Sequence, residues 1–437
     1  MQTTAVLLLC MPAFPAFESF ISLPIIKGKV HMIRIEKALT QPVPSDIYTI
    51  GAPEDVLFFD IETTGLSARS AGLYLIGMLT YTDKKWTLLQ YFCENVADEP
   101  AVLQAFFELL RTKKMLISYN GDGFDIPFLR HMLEQYRLPY SFDTVESFDL
   151  FKQFRPLKRL LNLPDLKLKS CERFLGIDRE DRFTGGELIE VYFEWQKTKV
   201  PALLDTLLLH NAEDIANLPN LLPLLRYRAL PHSDFQLRTH ERLQDAGTPL
   251  VHLSFTLLAP MSPSAHVPAE NATREVTDDR RLHCIDAGEN GNREATEDRR
   301  QHWPALTLPR PVDLRGDFWA LHAEGSTVEL YVQLFEGERK LFFADFEHYY
   351  YLPAEDQVIH QSLAEFVDRS ARKKACARNC YQRVSGCFLP ECSEVYTPAL
   401  RAEYRDKLRY AQYSDTLFDD ETKAVTYLKS FLEAYGV

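Results

Sequence analysis

Three short stretches of this chain put acids where they could do chemistry. The first is FFDIETTGL (58–66), which holds Asp60 and Glu62. Strand alternation puts these two on one face, about 7 Å apart along the chain. Such a pair repels itself unless a cation lies between the carboxylates or one is protonated. Paired carboxylate oxygens suit Mg²⁺ or Mn²⁺. The second is SYNGDGFDIPFL (118–129), where glycines allow a sharp turn and Asp125 falls near a helix start, a favoured place for an anion. The third is LLLHNAEDIANL (207–218), where His210 and Asp214 are four apart and share a helix face. Taken singly, each has a plain structural explanation: a solvated strand end, a cap, a helix-surface pair or a core histidine.

The elements around these stretches follow from hydrophobic pattern. DVLFFDI (55–61) reads as a buried strand. GLYLIGMLTY (72–81) and KWTLLQYF (85–92) read as two more around the turn-like TDK, and MLISYN (115–120) as a fourth. EPAVLQAFFELLRTK (99–113) and FDIPFLRHMLEQYR (124–137) have helical spacing, and 149–228 reads as mostly helical. This order of elements predicts an α/β domain with a mixed sheet over 55–230. The acids then sit at a strand end, a helix start and a helix interior of one domain.

Beyond it, residues 231–304 are expected to be a connecting, flexible segment, since 260–304 is rich in charge and poor in branched apolar residues. Residues 305–437 are expected to form a smaller α+β region. DFWALHAEGSTVELYVQLFEGERKLFFADFEHYYYLP (317–353) predicts a three-stranded meander with turns at 324–326 and 336–339, and helical patterns follow at 358–372 and 399–437.

The whole chain has 437 residues, 46% of them hydrophobic, enough for a sizeable core in two or three domains. That excludes a disordered or low-complexity chain. With 49 Lys and Arg against 62 Asp and Glu, the net charge is −13. A global basic field for nucleic-acid capture is therefore absent, although a local basic channel is compatible with the charge. Eight cysteines are too few for a disulfide scaffold, which points to a reducing cytoplasm. Residues 1–31 are apolar but broken by Pro12, Pro15, Pro24 and Glu18, and no Lys or Arg precedes the apolar run. They are expected to be an unstructured tail, or an extension ahead of a start at Met32, with 32–54 as a lead-in. No membrane association is expected.

Taken together and in this order, the three motifs resemble the DEDD class of 3′–5′ exonucleases, and more closely the YprB-like ribonuclease H-like family of bacterial proteins. LKLKSCERFLGI (166–177) and GGELIEVY (185–192) are similar to the same family, and KKACARNCYQRVSGCFLP (373–390) more loosely so. The resemblance implies a ribonuclease H-like mixed β-sheet flanked by helices. It also implies two-metal hydrolysis of single-stranded DNA or RNA ends, with two Mg²⁺ or Mn²⁺ ions. Asp60, Glu62, Asp125 and Asp214 would be the metal ligands, with Asp60 bridging both ions. Glu62 and Asp214 would complete the site of the attacking water, and Asp125 would hold the other ion. His210 departs from the class, standing at the spacing of the tyrosine variant. A neutral imidazole there is suited to accept the water's proton as a general base, and the bland alternative is a hydrogen bond to Glu213 or the backbone. The rival functions are a nucleic-acid-binding module of this fold, or an adaptor whose 305–437 region docks a protein partner and whose nuclease activity is weak or partner-dependent.

Several further features have two readings. Asp149 and Glu187 are candidates for outer ligands, or else caps. Lys152, Arg155, Lys158, Arg159, Lys167 and Lys169, and a second run from Arg369 through Arg372, Lys373, Lys374 and Arg378 to Arg383, could track a phosphate backbone or be solvated faces. Tyr349, Tyr350 and Tyr351 could stack on bases or form a core cluster. Cys376, Cys380, Cys387 and Cys392 could hold zinc or an iron–sulfur cluster, although their spacing fits no familiar knuckle.

Overall fold

The computed structural model describes residues 32–258 and 306–436. The extension at 1–31 and the charge-rich stretch 260–304 lie outside the described residues. The chain divides into two compact units. One gathers the chain up to Lys152 with Ile177–Asn220, and the other gathers Gln153–Gly176 with the chain from Leu221 onward. Residues 153–176, expected within the first domain, thus pack with the second unit.

The sheet of the first unit is built from β1 (Met32–Leu39), β2 (Val56–Thr63), β3 (Leu73–Thr82), β4 (Lys85–Cys93), β5 (Met115–Ser118) and β6 (Glu146–Asp149). Their order is β1-β4-β3-β2-β5-β6. The first four strands pair antiparallel, and β5 and β6 extend the sheet in parallel from β2. β1 occupies what reads in sequence as a lead-in.

Helices α1 (Glu99–Leu110) and α2 (Asp125–Tyr136) bury Val102, Phe106 and Leu129 against Leu57, Phe59 and Ile61 of β2. The short α3 (Leu150–Phe154) follows β6 directly, and α4 (Leu168–Leu175) belongs to the second unit. Helices α5 (Gly185–Thr198) and α6 (Pro201–Leu221) bury Leu188, Trp195 and Leu207 against Tyr74, Leu75 and Phe92. Because β2 alternates, committing Phe59 and Ile61 to the α1/α2 face turns Asp60 and Glu62 toward the α5/α6 face.

Beyond α6 the second unit continues with the short α7 (Leu225–Ala229) and then strands. β7 (Asp234–Asp245), β8 (Thr248–Leu258), β9 (Val312–Arg315), β10 (Trp319–Glu324) and β11 (Thr327–Gln333) form a sheet ordered β7-β8-β11-β10-β9. Residues 234–258, expected as connection, are instead a long hairpin whose Val251, Leu253, Phe255 and Leu257 are fully buried. β12 (Phe335–Phe342), β13 (Tyr349–Leu352), β14 (Gln357–His360), β15 (Lys373–Lys374), β16 (Tyr381–Glu391) and β17 (Arg409–Gln412) make two small sheets, β12-β16-β17 and β14-β13-β15.

The expected meander therefore breaks up. The turn at 324–326 forms, but 336–339 lies inside β12, which leaves β11 and pairs with β16. Gly337 faces Gly386 across that pair, so residues with turn-like composition are mid-strand. The expected helix at 358–372 is a strand followed by short 3₁₀ turns, in which Leu363 and Phe366 are exposed. At 399–437 only α8 (Glu421–Tyr435) is an α-helix, capped by Asp420.

Candidate metal centre

Asp60 and Glu62 leave β2 on the side facing α6. Opposite Asp60 on β3 stands Gly77, where a Cβ would come within 2.0 Å of Asn211 Oδ1 and Ile215 Cδ1. Only glycine lets α6 approach the sheet this closely. The approach allows Asn211 Nδ2 to donate to Asp60 Oδ2 at 3.1 Å. Asn211 is itself fully buried and accepts from Gln90 Nε2 at 2.9 Å, so its amide is held from behind. Asp125, the first residue of α2, accepts the Ile61 amide of β2 at 3.1 Å through Oδ1. The Tyr74 hydroxyl of β3 donates to Glu62 Oε2 at 3.4 Å.

From α6, Asp214 and His210 complete the group. Glu62, His210 and Asp214 each offer a donor atom, and these three atoms lie within 4.8 Å of one another. Asp60 and Asp125 are near enough to feel the same charges but fall outside this tight trio. The four carboxylates expected from sequence thus come together in one place.

Electrostatics sets the group apart. Burial, then Asp125, Glu62 and Asp214, push the Asp60 carboxyl well above its ordinary value, with only the Asn211 amide opposing. Burial, then Asp214 and Asp125, do the same to Glu62. Burial raises Asp125 to about 7, against the pull of the Ile61 amide. A divalent ion would relieve all three at once, and an all-carboxylate donor set suits a hard cation. The residues present therefore fit the ions that the sequence resemblance implies.

Two residues of the group have no sequence motif. Asp181, in the turn before α5, meets His210 Nδ1 at 2.7 Å and is almost wholly buried. The partner of Nδ1 is thus Asp181, and neither Glu213 nor a backbone group. Arg179, two residues earlier, pairs through Nη2 with Asp214 Oδ1 and reaches Glu213 Oε2 at 3.4 Å through Nε. The Glu213 carboxylate also accepts the backbone amides of Glu180 and Asp181 at 2.9 Å each. Glu213 therefore pins the turn, and the turn delivers Asp181 to the histidine.

Several of the remaining candidates make structural contacts. Asp149 accepts the amides of Asn120, Asp122 and Phe151 and holds the loop ahead of α2. Glu187 closes a capping box with Thr184 at the start of α5. Lys152 pairs with Asp122, and Arg159 lies 4.2 Å over the Tyr435 ring. In the second basic run, Arg372 and Lys374 both lie over Tyr350, and Arg383 pairs with Asp356 and Glu338. The three tyrosines form β13, with Tyr349 stacked on Phe343. The structure does not gather Cys376, Cys380, Cys387 and Cys392. Among the described residues the one convergent group of three or more His, Cys, Asp and Glu donors is Glu62, His210 and Asp214. Cys380 is buried, whereas Cys376 and Cys392 are exposed, which favours the reading without zinc or an iron–sulfur cluster.

A family model described as the RNase H superfamily matches residues 57–226. This region is a ribonuclease H-like domain. Its sheet, with antiparallel β2–β4 and parallel β5 and β6, carries the carboxylates on its central strand and on the helices against it. The chain is similar to a family B DNA polymerase of the archaeon Pyrobaculum calidifontis, with 17% identity over 41% of this chain and 25% of that one and a TM-score of 0.31. It is similar to a nuclease in its apo form, with 18% identity over 41% of this chain and 75% of that one and a TM-score of 0.27. It is also similar to E. coli exonuclease I in complex with a dT13 oligonucleotide, with 14% identity over 46% of this chain and 54% of that one and a TM-score of 0.24. The chain thus spans a quarter of that polymerase and just over half of that exonuclease. No curated protein matches it. Among the described residues no helix is long and apolar enough to cross a membrane.

Proposed function

We propose that this chain is a metal-dependent 3′–5′ exonuclease, of the YprB-like kind its motifs resemble, that hydrolyses phosphodiester bonds at single-stranded DNA or RNA ends. One observation carries the reading. Asp60, Glu62, Asp125 and Asp214 come from β2, the start of α2 and α6, yet converge with three of their carboxyls pushed up by burial and mutual repulsion. Arg179 and the amides of Asn211 and Ile61 offset this repulsion only in part.

Asp60, Glu62, Asp125 and Asp214 would hold Mg²⁺ or Mn²⁺. When bound, such ions polarise the phosphate, activate the attacking water and stabilise the leaving oxygen. The protein's own part is to keep the donors rigid. Asn211 orients Asp60, the Ile61 amide orients Asp125, Tyr74 orients Glu62, and Arg179 holds one oxygen of Asp214. Positioned donors cost little reorganisation when substrate charge develops, which is where most of the rate gain of such sites arises.

The test uses the full chain and 5′-labelled single strands of DNA and of RNA, with Mn²⁺. A ladder that shortens stepwise from the 3′ end supports the reading, and the better substrate identifies the preferred sugar. Release of the label as a mononucleotide, or cuts at internal positions, overturns the 3′–5′ direction.

A further inference from the structure

The trio within the carboxylate cluster has a feature that four equivalent acids would not share. Each of its members ties one polar atom to a protein partner and turns another toward the space the three share. Glu62 takes the Tyr74 hydroxyl on Oε2 and presents Oε1. Asp214 takes Arg179 on Oδ1 and presents Oδ2. His210 meets Asp181 through Nδ1 and presents Nε2, which lies 3.7 Å from Glu62 Oε1 and 3.5 Å from Asp214 Oδ2. The side chains of Glu62, His210 and Asp214 are only 12%, 7% and 17% exposed, so water competes weakly for the shared space.

With Nδ1 against Asp181, the ring turns Nε2 toward the two carboxylates. Two carboxylate oxygens and one imidazole nitrogen, all within 4.8 Å of one another, make a three-point donor set that a divalent ion can bridge. A carboxylate behind the far nitrogen of an imidazole is also how metal-bound histidines are oriented and made better donors.

We infer that Glu62 Oε1, His210 Nε2 and Asp214 Oδ2 form a mixed nitrogen–oxygen site for one divalent transition ion, with Asp181 as the positioning residue behind the histidine. The site takes Mn²⁺, Co²⁺ or Zn²⁺ in preference to Mg²⁺, because imidazole suits these ions whereas Mg²⁺ favours oxygen and water. Asp60 and Asp125, outside the trio, offer oxygen alone and suit Mg²⁺. This gives Nε2 of His210 a ligand's role in place of the general-base role that its residue type suggests. The inference deepens the metal-dependent reading and shares its cluster, but it concerns binding and is measured without turnover.

The probe is Mn²⁺ alone, added to the full chain below stoichiometry, and the readout is pulsed electron paramagnetic resonance. The expected result is a ¹⁴N coupling typical of directly bound imidazole, replaced by ¹⁵N when the protein is made with ¹⁵N-histidine. That comparison uses the unaltered chain, so folding of a variant does not enter. In His210→Gln the coupling should disappear. In Asp181→Asn, Mn²⁺ affinity should fall about 10–100-fold, the usual effect of losing a group that orients a ligand. Bound Mn²⁺ without nitrogen coupling, no Mn²⁺ binding, or coupling that persists in His210→Gln overturns the assignment. Nitrogen coupling in a chain that cleaves no nucleic acid leaves this site standing and overturns the nuclease reading instead.

Discussion

The two units treat hydrogen-bonded acids in opposite ways. In the ribonuclease H-like unit, Asp60 and Glu62 sit among other negative charges, and burial with mutual repulsion drives both carboxyls upward. In the C-terminal unit, Asp356 accepts the hydroxyls of Tyr351 and Tyr381 at 2.7 Å each and pairs with Arg383, so its carboxyl is pulled down to about 2. In the first group Arg179 pairs with Asp214, yet Asp60 and Glu62 stay pushed up, whereas in the second Arg383 pairs with Asp356 itself. Crowded acids that the fold leaves uncompensated mark a place where something else binds, whereas a compensated acid marks a structural pin. Burial alone is not the signal. Glu391, in the C-terminal unit, is raised to about 7 chiefly by burial, yet its main partners are the amides of Val395 and Tyr396 and no acid cluster surrounds it.

The largest expected effect breaks the comparison at its first member. Asp60→Ala or Asp214→Ala should lower cleavage by several orders of magnitude, since the proposed metal-assisted hydrolysis would depend on both carboxylates. Asp60→Ala should not lower the melting temperature measured in EDTA, because it removes repulsion. Cleavage near the wild-type rate in a folded variant would contradict the account.

Gly77→Ala tests how closely the site depends on the approach of α6. The new Cβ would displace Asn211 and Ile215. A cost of about 1–3 kcal/mol is expected from overpacking, accompanied by loss of cleavage as Asn211 withdraws from Asp60. Denaturant unfolding and a cleavage assay read the two effects separately.

In the C-terminal unit, Asp356→Ala should destabilise by about 1–2 kcal/mol through the lost hydrogen bonds of a partly exposed carboxylate. Its pulled-down carboxyl adds stability above the ordinary range near pH 4, and that stability is lost as the pH falls toward about 2. The melting-temperature gap between wild type and variant should therefore close in acid. A gap that widens there would mean Asp356 is not the pin described.

Asp125 should behave with the opposite sign. Its folded carboxyl stands at about 7, above the unfolded value, so its contribution is fully present below about pH 4 and is lost as the pH rises through about 7. In EDTA the wild type should lose melting temperature relative to Asp125→Asn between about pH 5 and pH 8. Mn²⁺ should restore it, more so at the alkaline end. A difference that does not change with pH would sink the idea that this carboxyl is strained by its surroundings.

The comparison also explains what the sequence made legible. β2 to β5, α1 and α2 were readable because dense apolar runs and helical spacing coincide with the acid motifs, and the motifs name all four carboxylates. Asp181 and Arg179 were not readable. They lie in IDREDRF (177–183), a charged stretch without periodicity, and only Glu213, reaching back from α6, gives that turn its shape. Asn211 was in plain view beside His210, but its role depends on Gly77, on a different element. In the C-terminal unit, VHLSFTL (251–257) carries a clean strand alternation, yet its charged hairpin partner THERLQD (239–245) looks like linker. The strand at 335–342 is masked in the sequence because Gly337 supplies a turn signal that pairing with Gly386 overrides.

The most direct measurement of the central claim is cleavage of an end-labelled single strand by the full chain, with Mn²⁺ and with EDTA, beside Asp214→Asn under the same conditions. The account predicts stepwise shortening by the wild type in Mn²⁺, none in EDTA and almost none by the variant. Equal cleavage in EDTA, or by a folded Asp214→Asn protein, would show that the carboxylate cluster does not hold the ions that perform the reaction.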